Sequence, residues 1–279
     1  MPLQLKNVES ARGPRWIGDA FRLFKRRPLP FALMFISFLL TAVFVSIVPV
    51  LGGVLQMMML PLLSLGFMVA SQSALLDGPV SPKQFIEPLQ GDPKRRQSLL
   101  ILCVGYGVCA ALILLLCNVV SDNAMFRFQE LMANRDANPA EVQAILNEPG
   151  VSMAAILGLS LGTALSIPYW HAPALVHWGG QGVAQALFSS ALAVWKAKGA
   201  LLSFVASWIV LIIGIGVGSA LVFGLLGMAQ AASAISVPAG LFLSTVFYIS
   251  LLFTFNDSFG GAAAVSQANQ SDSEPTLPP

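Results

Sequence analysis

Charge is scarce in this chain: 15 Lys and Arg and 13 Asp and Glu stand among 279 residues, 10% of the total against 56% hydrophobic residues. An average soluble domain carries about 25% charged residues. A soluble fold of this length needs them to cover its surface, so the apolar excess must face lipid. The scarcity excludes a soluble globular protein, and a net charge of +2 is too small to point to nucleic acid.

Metal-ligating and redox residues are nearly as rare. The three cysteines, Cys103, Cys109 and Cys117, lie in one apolar stretch at spacings of six and eight. Those spacings match no zinc pattern, and no aqueous oxidant reaches a span interior, so they are expected to be structural free thiols. Both histidines fall in "PYWHAPALVHWGGQG", residues 168–182. Six residues put His171 and His177 about 120° apart on a helix, Pro173 intervenes, and no Asp, Glu or Cys is near enough to complete a ligand shell. With Tyr169, Trp170 and Trp178 they read as an interfacial aromatic belt. No cofactor is implied. "GIGVG" at 214–218 is not a dinucleotide fingerprint, because no strand precedes it.

Within the apolar runs there is no Asp, Glu, Lys or Arg at all. Ion-coupled carriers, proton pumps and intramembrane proteases keep such groups at depth, so the sequence points away from them. Nor can paired carboxylates, a nucleophile with its base or a phosphate loop be assembled from the remaining segments, so the chain is expected not to be an enzyme. The polar residues at depth are Gln56, Gln72, Asn118, Gln230 and scattered Ser and Thr, which bonding between helices accounts for. Pro61 and Pro168 are expected to kink their helices and free carbonyls toward a cavity.

What is present is a set of long uncharged runs at 28–76, 97–121, 149–195 and 199–256. A hydrocarbon core of about 30 Å takes roughly 20 helical residues at about 1.5 Å each, so the first and last runs each hold two spans. "PVLGG" at 49–53 and "MAQAASAISVP" at 228–238 supply the turns. The expected fold is an all-α integral membrane protein with six spans near 30–49, 53–76, 98–120, 151–175, 200–226 and 235–256. Segment 122–150 is expected to form a small external helical hairpin, with Asn138 as N-cap, Pro139 as first helical residue and Glu141 as capping-box partner. Residues 257–279 read as a disordered tail.

Six spans put 13 of the 15 basic residues on the side of both termini, while 122–150 holds Arg127 and Arg135 beside five acidic residues. Basic residues near span ends are retained in the cytoplasm, so both termini are expected there, with the first span a retained signal anchor.

The stretch "AFRLFKRRPLPF" at 20–31 ends an amphipathic segment, 1–28, in which Trp16, Ile17, Ala20, Phe21, Leu23 and Phe24 span an arc of about 160° opposite the basic residues. It is expected to lie on the membrane, with Trp16 at the acyl boundary and Arg22, Lys25, Arg26 and Arg27 on anionic lipid headgroups. A shift of 171 residues brings Leu187, Phe188, Ala191, Leu192, Val194 and Trp195 onto the same apolar positions. A shift of 69 aligns Lys94, Arg95 and Arg96 with Lys25, Arg26 and Arg27, although Pro88, Gly91 and Pro93 spoil the helix between. Three units follow, each a lead segment and a two-span hairpin, all running the same way. Small residues recur every four positions at Gly158, Gly162 and Ser166, and at Gly214 with Gly218 and Gly216 with Ala220 and Gly224. They are expected to be helix-packing stripes, so that bulk at Gly162 or Gly216 should destabilise more than bulk at Gly52, which falls in a turn.

The pattern Gly13, Trp16, Phe21, Phe24 and Pro28, with "PVLGG" after the first span and "PALVHWGG" after the fourth, resembles an uncharacterised family of bacterial six-span inner-membrane proteins over roughly residues 12 to 256. The resemblance implies a helical inner-membrane protein with cytoplasmic termini and carries over no catalytic or binding residue. The leading expectation is a non-enzymatic helical platform acting through lipid or protein contacts, with a membrane-protein partner or a second copy of the chain. The alternative is a permease or channel for a neutral or amphiphilic solute.

Overall fold

In the computed structural model, residues 5–48, 51–133, 138–227 and 229–260 are described. Among them eleven α-helices and two short 3₁₀ turns account for the regular structure, and six helical segments are long and apolar enough to cross a membrane. The chain is an all-α integral membrane protein. Pro49, Arg135, the side chain of Gln230 and the tail from 261 onward lie outside the described residues.

Helix α1 runs Arg12–Arg26 and α2 runs Pro28–Ser46. Arg27, at φ −143°, separates them, and Pro28 starts α2 where its missing N–H costs no helical bond. Helix α3, Gly52–Leu75, carries Pro61 inside it. The segment that Pro88, Gly91 and Pro93 were expected to spoil forms only 3₁₀ turns at Pro82–Phe85 and Glu87–Leu89. Helix α4, Pro93–Val120, begins at Asp92, whose carboxylate accepts from the Lys94 N–H at 3.1 Å.

Helices α5, Ala124–Ala133, and α6, Pro139–Leu146, form the small hairpin. Asn138 caps α6 as expected, its Oδ1 accepting from the Ala140 N–H at 3.0 Å. Arg127 ties the hairpin to the next span through a double bond to Glu148 at 3.1 and 2.7 Å. Asn118, deep in the third span by sequence, closes the turn between α4 and α5 instead, accepting from the Phe126 N–H and donating to Asn123. Helices α7, Pro149–Tyr169, and α8, Ala172–Gly179, together make the fourth span, and α9, Val183–Lys196, is the second lead helix. Helix α10, Lys198–Leu225, and α11, Ala229–Phe259, complete the bundle. Because α11 continues to Phe259, residues 257–259 belong to the last helix and not to the tail.

Helix α3 holds the centre, packing on α2, α4 and α11. One hydrophobic cluster gathers Trp16, Phe31, Met34, Phe67, Phe204 and Val246, and another gathers Leu65, Leu99, Leu102, Leu175 and Phe255. Between them they bury residues of nearly every span, which is what orders the bundle once lipid has removed the aqueous hydrophobic drive between helices. The two described ends meet: the Lys6 N–H donates to the Ser258 carbonyl at 2.9 Å. The end of the bundle that carries both of them also carries the basic residues of α1, the start of α4 and the junction of α9 with α10.

Candidate functional site

Three features of the bundle could do work: the seat of α1, the small-residue faces of α7 and α10, and a cavity between the spans.

Helix α1 does not lie flat on a membrane with its apolar face in lipid. Gly13, Trp16, Ile17, Ala20 and Leu23 are buried, and that face packs on α10 and α11. Trp16 is wholly enclosed, its ring edge-on to Phe204 at 5.8 Å, and its Nε1–H donates to Asp257 Oδ2 at 2.7 Å. Arg12 donates to the same oxygen through Nε at 2.6 Å. That bond is the main reason the Arg12 guanidinium is pushed further above its ordinary range. Trp16 is therefore a correction to the sequence reading, because an enclosed indole cannot touch headgroups. The physical reason is Asp257, a hydrogen-bond acceptor at the end of the last span that the sequence reading had assigned to the tail.

Arg27, only partly exposed, is engaged within the chain. Its Nη1 donates to the Gly78 carbonyl and its Nη2 to the Asp77 carbonyl at 3.2 Å, strapping the junction of α1 and α2 to the turn after α3. Arg22, Lys25 and Arg26 are exposed on the outward face of α1, with Arg22 also paired to Asp19 at 2.5 Å. The lead helix with an outward apolar face is α9, where Phe188 and Trp195 are each 70% exposed and Lys198 Nζ stands 4.8 Å over the Trp195 ring.

Of the small residues expected to pack, Gly158 does so within the chain: a Cβ there would lie 3.1 Å from Cys117 Sγ on α4. At Gly162, Gly214, Gly216 and Gly218, no described atom lies within 4 Å of an added Cβ. Among the described residues, those four make no close contact within one chain. The close approaches lie elsewhere. An added Cβ would come within 2.3 Å of the Ala200 carbonyl at Gly13 and within 2.2 Å of Met58 Cγ at Gly107. Gly52 is also confined, with the Val45 carbonyl at 2.7 Å. The space around an added Cβ is thus tighter at Gly52 than at Gly162 or Gly216, the opposite of the order expected from the sequence.

The cavity, of about 210 Å³, lies between α3, α4, α7 and α11. Pro61 and Ser64 line it from α3, Tyr106 from α4, Ser166 and Tyr169 from α7, and Tyr248 from α11. Proline without an N–H leaves the preceding turn of α3 open on this side, which is the role the sequence suggested for Pro61. The Ser64 and Ser166 hydroxyls donate back to the carbonyls of Pro61 and Gly162 at 2.8 Å each. Tyr106 and Tyr169 meet edge-on at 5.0 Å.

His171 and His177 contribute to packing. The His171 backbone N–H donates to Ser190 Oγ at 2.9 Å, and its ring sits against Phe255 and Phe259 at 5.7 and 5.6 Å. The His177 carbonyl accepts from Arg95 Nη1 at 3.2 Å. Among the described residues no group of three His, Cys, Asp or Glu could hold a metal, and the three cysteines are free.

The chain is 29% identical over 259 residues to a "probable inner membrane protein" of Burkholderia thailandensis, covering 92% of this chain and 94% of that relative. No family model and no solved structure matches it.

Proposed function

We propose that the chain is a non-enzymatic integral protein of the bacterial inner membrane that acts as a helical platform, through contacts in the plane of the bilayer. The observation that carries this is the unpartnered face of α10, with Gly214, Gly216 and Gly218 open to the surroundings. In the most apolar 18-residue stretch of the fourth span only 11% of residues are buried within the chain, and in that of the fifth 17%. Small residues at four-residue spacing let helices approach closely in lipid, so these faces suit a membrane-protein partner or a second copy. The similarity to an inner-membrane protein supports the location. The distribution of basic residues, 13 of 15 toward the end that holds both termini, supports cytoplasmic termini. On that side Arg22, Lys25 and Arg26 face outward toward anionic headgroups.

Disulfide trapping tests the reading. With Cys109 replaced by Ser, Gly218→Cys should give an oxidant-dependent crosslink in native membranes, to a second copy or to one partner, and Leu202→Cys should not. Equal trapping at both positions, or none at Gly218, would remove the platform reading. A second reading, a permease or channel for a neutral or amphiphilic solute, is favoured by the cavity beside Pro61. Flux of such a solute into proteoliposomes above lipid-only controls is its test.

A further inference from the structure

The cavity has chemistry that packing alone does not explain. Its polar walls come from the middle of each span: Pro61 and Ser64 within 52–75, Tyr106 within 93–120, Ser166 within 149–179, Tyr248 within 238–259. It therefore sits near the bilayer midplane, where water is absent and an unbonded polar group is costly. Yet the hydroxyls of Tyr169 and Tyr248 have no hydrogen-bond partner among the described residues, while the Tyr106 phenol interacts with the Ser166 side chain. Two phenolic donors thus face a space walled otherwise by Leu60, Phe247 and Leu251. No charged residue lines it. A charged ligand would lose its hydration there with no counter-charge to replace it. An uncharged molecule with a hydrogen-bond acceptor would satisfy the phenols and keep its apolar part on the leucine and phenylalanine walls.

The surface of α4 suggests a way in. A groove there runs from Pro93, Arg96 and Gln97 past the apolar Leu100, Ile101 and Val104 and ends at Gly105. There the absence of a side chain matters, because an added Cβ would stand 2.9 Å from Tyr169 Oη. Tyr169 is a wall of the cavity, so at Gly105 a single phenol hydroxyl stands between the groove and the cavity, the place where a molecule dissolved in the bilayer would come nearest the phenols. The cavity is smaller than the roughly 300–1,000 Å³ that houses a drug-sized ligand, which suits a compact head with a short apolar stem. From these observations we infer that the cavity binds an uncharged, membrane-dissolved amphiphile through an acceptor oxygen held by Tyr169 and Tyr248, admitted between α4 and α7 past Gly105.

The inference concerns occupancy and not movement, so a saturable site without flux leaves the platform reading intact, and failure of the disulfide trapping leaves the site intact. The probe is an octanol carrying a diazirine on its chain, photolysed with the full-length protein in nanodiscs and mapped by peptide mass spectrometry. Labelling should be saturable, competed by plain octanol, and concentrated on the peptides holding Tyr106, Tyr169 and Tyr248. Filling the space with Ser64→Phe should reduce it at least fivefold while labelling of the lipid-facing half of α10 is unchanged. If Ser64→Phe does not fold, Tyr248→Phe, which removes only a hydroxyl, should raise the octanol concentration for half-saturation at least threefold and leave a diazirine-bearing octane unaffected. Labelling that merely follows lipid exposure, or octanol and octane behaving alike in the parent protein, would overturn the site.

Discussion

Asp257 accepts hydrogen bonds from Arg12 and Trp16 across more than 240 residues of sequence. Replacing it with Ala strands an indole N–H inside the protein and leaves the Arg12 guanidinium with only Asp19, at 4.0 Å. Both carboxylate and guanidinium are partly exposed, which screens the charge, so the expected loss is about 1–3 kcal/mol. Trp16→Phe keeps the ring and loses the bond, and should cost less. Thermal unfolding in detergent of both variants and their double mutant measures the coupling; additive effects would mean that the indole bond contributes nothing. Glycines give a second comparison at this scale. Gly13→Leu and Gly107→Leu push side-chain atoms into a carbonyl and a methionine already in van der Waals range, and should lower the melting temperature well below that of Gly162→Leu or Gly216→Leu. The same assay decides it, and an inverse order would mean that the outer face of α10 is occupied in the purified state.

The spans were readable as elements because they depend on one-dimensional quantities: a long uncharged run, a turn residue and, for α2, α4 and α7, a proline at the first helical position. Asn138 and Pro139 announced α6 for the same reason, since a cap is a local contract between neighbours in sequence. What a helix packs against is not local. The amphipathic pattern of α1 is equally consistent with lipid and with the backs of α10 and α11, and only the position of Asp257 in space chooses between them. The lone acid just past a run of 58 uncharged residues was a signal that could have been paired with Arg12. Small-residue spacing had the same weakness, because it marks a surface fit for close approach without saying whether the approach occurs within one chain. Nothing in sequence separated Phe188 and Trp195, which face outward, from Trp16, which does not. In nanodiscs of brominated lipid, a variant retaining Trp195 alone should be strongly quenched and one retaining Trp16 alone should not. Comparable quenching would mean that α1 leaves its seat in a bilayer.

For the whole molecule, the proposed orientation rests on the distribution of charge and is open to a direct test. A reporter fused at Asn138 should be active only if it works outside the inner membrane, and reporters at Gly91 and Pro279 only if they work in the cytoplasm. The motive is the 13-to-2 division of basic residues. An external reporter active at Pro279 would require an odd number of spans. The cavity was only partly legible from sequence: Pro61 suggested it, whereas Tyr106, Tyr169 and Tyr248 come from three different spans and converge only once α3, α4, α7 and α11 are packed.

The seat of α1 also has a history in time. Its partners on α10 and α11 are the last spans to leave the ribosome, and at about 5–20 residues per second some 10–50 s separate synthesis of Trp16 from that of Asp257. During that interval the surfaces of α10 and α11 that cover Trp16, Ile17, Ala20 and Leu23 do not yet exist, and the lipid interface is an apolar surface within reach. The amphipathic character of α1 thus suits two successive hosts, a membrane surface first and the finished bundle afterwards, with Arg22, Lys25 and Arg26 left on the outward face of the helix. Nascent chains stalled at Lys198 should therefore show Trp16 quenched by brominated lipid, and release of the full chain should abolish the quenching. Protection from lipid at the stalled stage would mean that α1 waits on some other surface.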